Sequence, residues 1–151
     1  MTAVTHARLP VHYAARSLGA LLSLAVAGIH LKDQGGLPGS KDPSYVGAGY
    51  YVLEAVGVLV AVALLLPSWR AVRTAWLVGV GVAAAPLLGY VLSRGPGLPG
   101  YTDDKGNWTE PIGVASLVVE VVLLLLAGAA AGTALGARSG RTERPPRTLA
   151  G

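Results

Sequence analysis

Glu54 and Glu120 are carboxylates set inside apolar sequence, each seven positions after a glycine (Gly47 and Gly113), and Ser116 precedes Glu120 by four. A carboxylate withdrawn from water is either protonated or matched to a cation. In that setting it can hold a proton, bind a cation, or tie two helices together through a hydrogen bond. His30 and Arg94 lie at the ends of two other apolar stretches and add a proton-exchanging imidazole and a fixed positive fork. Tyr50, Tyr51 and Tyr90 supply phenolic hydroxyls nearby. The expected ligand or proton site is therefore Glu54, Glu120, His30, Arg94, Tyr90, Tyr50 and Ser116. Two carboxylates sharing it would resist double ionisation and hold a proton or a cation between them.

Other chemistries find little support. The chain has no cysteine, which removes disulfides, thiolate metal sites and thiol nucleophiles. No phosphate-cradling glycine loop, nucleophile elbow or zinc-binding histidine pair occurs, so no catalytic residue is assigned and binding is favoured over turnover. Asp103, Asp104 and Glu110 lack the spacing of a calcium loop and read as a solvated surface. Asn107-Trp108-Thr109 fits a glycosylation acceptor, which acts only in a eukaryotic lumenal setting. The net charge of +4 does not point to nucleic acid, because the basic residues flank apolar segments and form no basic face.

The elements that position these groups are membrane spans. With 52% hydrophobic and 13% charged residues and a mean hydropathy of +0.54, the 151-residue chain exceeds what a soluble core needs. Apolar runs at 13–31, 46–66, 75–93 and 112–137 match the ~20 residues that a helix needs to cross the hydrocarbon. Open strands cannot cross lipid. Residues 1–12 are expected to be an N-terminal tail, and 138–151, rich in Arg, Pro and Gly, a disordered basic one. Arg8, Arg16, Arg70, Arg73, Arg138, Arg141, Arg144 and Arg147 fall on one side, while the other carries Lys32, Lys41, Arg94 and Lys105 diluted by acids. The positive-inside rule then places both termini in the cytoplasm, with Arg16 snorkelling to the headgroups. Trp69 and Trp76 would mark the inner interface, and Tyr45, Tyr101 and Trp108 the outer one. Ala25-Val26-Ala27 after a short apolar stretch resembles a signal-peptide cleavage site, but the first span has a counterpart later in the chain.

That counterpart comes from an internal repeat. Gly-Leu-Pro-Gly occurs at 36–39 and again at 97–100, each Pro-Gly suiting the centre of a type II turn. Each is followed by a helix in which glycine precedes glutamate by seven. The expected fold class is all-α, a transmembrane four-helix bundle made of two duplicated hairpins, 13–67 and 71–137. Stripes Gly47, Tyr50 or Tyr51, Glu54, Gly57, Ala61 and Gly113, Ser116, Glu120, Gly128, Gly132, Gly136 would face the bundle interior. The two glutamates would lie at equal depth, ~12 Å from the outer helix ends, beneath His30 and Arg94.

The stretch Gly89-Tyr90-Val91-Leu92-Ser93-Arg94, with Gly97-Leu98-Pro99-Gly100, Asn107-Trp108-Thr109-Glu110-Pro111 and Ser116-Leu117-Val118-Val119-Glu120, resembles small four-helix integral membrane proteins of actinobacteria. Gly28-Ile29-His30-Leu31 is similar to that group too. The resemblance covers chiefly the second hairpin, implies a bacterial plasma-membrane protein, and carries over no catalytic residue.

Three functional classes follow. The first is a binding or accessory protein with a polar pocket in the outer half of the bilayer, serving a larger membrane complex. The second is a proton- or cation-coupled carrier acting as a homodimer through Glu54 and Glu120. The third is a redox protein holding haem, quinone or a metal near His30, although one histidine cannot supply two axial haem ligands. Cofactor and metal identities stay open.

Overall fold

A computed structural model describes the backbone over residues 8–142 and the side chains over 12–133. It contains four helices, α1 (Arg8–Asp33), α2 (Ser44–Leu65), α3 (Trp69–Arg94) and α4 (Pro111–Thr142). Among the described residues the one strand-like feature is an isolated bridge between Leu98 and Tyr101. All four helices are long and apolar enough to cross a membrane, and in each span only 22–33% of residues are buried by the rest of the chain. Leu21, Leu59, Leu88 and Leu125 point outward from the bundle. An apolar exterior of this kind is solvated by acyl chains, and the chain is an all-α, multi-pass membrane protein lying in a lipid bilayer.

Helix ends follow local chemistry. α1 is described from Arg8 onward and so reaches five residues ahead of the expected span, where Pro10 has φ suited to a helix. α3 starts at Ser68, whose side chain accepts from the Ala71 N–H, and follows Pro67, which cannot continue α2. α4 runs on to Thr142, into the expected disordered tail, with no proline before Pro145 to stop it. Residues 143–151, with Arg144 and Arg147, and residues 1–7 lie outside the described part. Arg16 bonds to the end of α2. Its guanidinium donates to the carbonyls of Leu64 (2.6 Å) and Leu66, supplying donors that the last turn of α2 lacks.

The helices form a ring in which α1 and α2, α2 and α3, α3 and α4, and α4 and α1 are neighbours. α1 and α3 also touch across one diagonal, whereas among the described residues α2 and α4 have no Cα pair within 8 Å. Small residues allow the close approaches. A Cβ on Gly57 would sit 3.1 Å from the Ser23 carbonyl, and one on Gly19 would fall 2.5 Å from the Trp76 ring. Trp76 is therefore a core residue, packed with Val60, Leu64, Leu123 and Ala127, and Tyr101 is buried too, whereas Trp69, Tyr45 and Trp108 keep the exposed positions expected of interface markers. Gly128 and Gly132 face outward with open space around them. The buried stripe of α4 instead continues from Glu120 through Leu123, Ala127 and Ala131, and the side chain position of Gly136 lies outside the described residues.

Both hairpins turn at the same end of the bundle, and their repeated motif acts alike in its first half. Gly36 and Gly97 each take positive φ (99° and 87°) and donate the N–H to the carbonyl five residues back, Leu31 and Leu92. Only glycine adopts that left-handed cap without strain. The second halves differ. Gly100 has positive φ within the Leu98–Tyr101 turn, as a type II turn requires. Gly39 does not; a Cβ there would strike the Gln34 side chain at 2.6 Å, so this glycine makes room for a buried amide.

Candidate functional site

At the end carrying these two loops, the four helices enclose a cavity of about 300 Å³, at the lower end of the range for small-molecule sites. Its floor is built from three of the expected residues. Ser116 and Glu120 stand one turn apart on α4, and the Ser116 hydroxyl donates to Glu120 Oε1 at 2.5 Å. Glu120 is 1% exposed. From the last turn of α1, His30 brings Nε2 to 3.8 Å from the same oxygen. Its Nδ1 lies 2.9 Å from the Val26 carbonyl, which only accepts, so Nδ1 carries a hydrogen and Nε2 is the nitrogen that can take or release a proton toward Glu120.

Above the floor stand aromatic and charged groups. The His30 ring meets the edge of Tyr50 at a centroid distance of 5.0 Å. The Tyr50 hydroxyl donates to Asp33 at 2.5 Å, and Lys41 pairs with the same carboxylate at 3.0 Å. Across the mouth, the Tyr101 hydroxyl donates to Asp104 at 2.8 Å; burial and the neighbouring carboxylate push its pKa above the usual tyrosine value. Tyr90 donates to the Trp108 carbonyl at 2.6 Å, and Tyr45 to the Pro99 carbonyl at 2.7 Å, which fastens the α3–α4 loop to α2.

Arg94 is buried at 7% exposure and organises that loop. Its Nε donates to the Asn107 carbonyl at 2.9 Å, Nη2 to Glu110 at 2.7 Å, and Nη1 to Ser93 at 3.2 Å and Asp104 at 3.5 Å. The guanidinium also stacks over Tyr90, 4.0 Å from the ring centroid. A Cβ on Gly113 would come within 2.8 Å of Nη2 and 2.9 Å of Tyr90, so glycine at that position makes the stack possible.

Six of the seven expected site residues line this cavity: His30, Tyr50, Tyr90, Arg94, Ser116 and Glu120. Glu54 does not. It opens into a separate apolar recess with Leu24, Ala27, Gly28 and Leu31, on the α1–α2 side, beside Gln34, and its Oε1 has no hydrogen-bond partner. The physical cause is helical phase: the cavity face of α2 carries Val46, Gly49, Tyr50 and Leu53, and Glu54, one step further round the helix, is turned toward α1. Arg94 likewise pairs with Glu110 and Asp104 and with neither intramembrane glutamate. Among the described residues no three His, Asp or Glu side chains are grouped to hold a metal ion, and the combination of Glu54, Glu120 and His30 is not assembled.

Asp33, Asp104 and Tyr101 also line the cavity, so Asp104 is no mere solvated surface and Tyr101 no mere member of an interfacial belt. Two spacings carried a signal: Asp33 follows His30 by three on one helix face, and Tyr101 precedes Asp104 by three. Below Glu120 the bundle closes, since Leu123 and Ala127 have no exposed surface. No known protein family, curated protein or solved structure matches the chain.

Proposed function

We propose that this protein is a small-molecule binding protein of the plasma membrane, with both termini cytoplasmic and its pocket in the outer half of the bilayer. The observation that carries this reading is the cavity itself: it ends on a buried proton-exchanging pair, His30 and Glu120, above a sealed apolar floor. Such a one-sided space serves capture and release, and offers no path through the molecule. The orientation rests on the arginines of the opposite end, and the bacterial setting on the resemblance to actinobacterial four-helix proteins. A homodimeric carrier drew on Glu54 and Glu120 acting together, and a metal protein on those two with His30; the binding reading needs neither grouping. Delivery of the bound molecule to a larger membrane complex is the accessory role that fits a protein of this size.

The absence of native cysteine makes single-cysteine labelling a clean test. Gly89 lines the cavity and Gly81 faces outward deeper along α3, and a Cβ at either meets open space. A membrane-impermeant trimethylammonium methanethiosulfonate added outside intact cells is expected to modify Gly89→Cys and leave Gly81→Cys unmodified. Modification of Gly89→Cys only from the cytoplasmic side, or from neither side, would overturn the outward pocket.

A further inference from the structure

We propose that the pocket takes a small, largely apolar organic ammonium ion whose charged nitrogen is held between His30 and Glu120. This rests on the binding reading above and adds the chemical class of the ligand. The floor presents two acceptors side by side. With its hydrogen on Nδ1 committed to Val26, His30 turns an unprotonated Nε2 toward the cavity. Glu120 Oε1 lies 3.8 Å from that nitrogen, beyond hydrogen-bond distance, and receives a donor only from Ser116. A nitrogen bridging two acceptors at this separation would lie ~2.9 Å from each, which is ordinary N–H···O and N–H···N geometry. A primary ammonium brings three donors and the positive charge that a buried carboxylate requires.

The charges around the mouth select the same sign. Arg94 gives Nε, Nη1 and Nη2 to Asn107, Ser93, Asp104 and Glu110, so it has little left for an anion and is outnumbered by the carboxylates it meets. Lys41 is matched by Asp33. Glu120 is then an acid beyond those the local cations neutralise, and an anionic ligand would face net repulsion. The walls suit the rest of such a molecule. Val46, Pro86 and Ile112 are apolar, and the aromatic bodies of Tyr50 and Tyr90 line the same space.

The test uses the full-length Gly89→Cys chain in nanodiscs and three probes of matched shape: 2-phenylethylamine, 2-phenylethanol and 3-phenylpropanoate. The amine is expected to protect the cysteine from methanethiosulfonate, while the alcohol and the acid do not. Adding Glu120→Gln is expected to raise the amine concentration for half-protection by more than about tenfold, with helicity by circular dichroism as the folding check. If that variant fails to fold, the probe series on the Glu120 protein decides alone. Equal protection by the alcohol or the acid overturns the ammonium assignment, as does no protection by any probe. Both outcomes leave a labelled, water-accessible pocket standing, whereas failure to label Gly89→Cys at all removes the binding reading itself.

Discussion

Arg94 shows how one side chain can hold a loop in place while lining a cavity. Its planar fork meets two carboxylates, a carbonyl and a hydroxyl in different directions, an arrangement that the single ammonium of lysine cannot reproduce. Arg94→Lys is expected to lower stability by about 2 kcal/mol, read as a shifted denaturation midpoint in mixed micelles. Tyr101 provides a titration signature. Its folded pKa lies above the ordinary tyrosine value of 10.0, so the neutral hydroxyl is the stabilised form. The contribution is complete below the unfolded pKa and fades as pH rises from there through the folded one. Ultraviolet titration of tyrosinate should show one fewer late-titrating tyrosine in Tyr101→Phe. His30, Ser116 and Glu120 could be recognised from sequence because polar groups in apolar runs need partners, and a spacing of four puts Ser116 beside Glu120. Asp33 and Asp104 show only through their spacing of three from His30 and Tyr101, since an acid at a helix end or in a polar loop looks the same whether it faces water or a pocket.

At the scale of the helix, glycines divide into those that admit a neighbour and those that admit nothing. Gly19→Ala would drive a methyl group into the Trp76 ring and Gly113→Ala would drive one into Arg94 and Tyr90; each is expected to cost about 1–3 kcal/mol. Gly128→Ala and Gly132→Ala meet open space and should leave the midpoint unchanged or raise it slightly, since alanine favours the helix. Thermal unfolding of the four variants in one detergent checks the contrast. Periodicity placed Gly113, Ser116 and Glu120 on one buried stripe but not Gly128 and Gly132, which face outward, and the number, length and apolar character of the helices followed from composition. It could not say which neighbour each stripe meets. On α2, Gly57 packs on α1 and Tyr50 enters the cavity, and Glu54, between them in sequence, lands in a different recess.

For the whole molecule, the facing of each group decides the chemistry more than its place along a helix. All four helices meet at the cavity, yet Glu54 is turned to the α1–α2 flank while Glu120 faces inward, so the likeness of Gly47–Glu54 to Gly113–Glu120 in sequence does not become likeness of environment. One acid joins a histidine above a sealed core; the other sits beside a buried glutamine at the bundle's flank. The hydrogen bonds from Arg16 to the carbonyls of Leu64 and Leu66 have a bearing on biogenesis. The donor belongs to α1 and the acceptors to α2, which is made next, so this pair can satisfy its exposed end while α3 is still inside the ribosome.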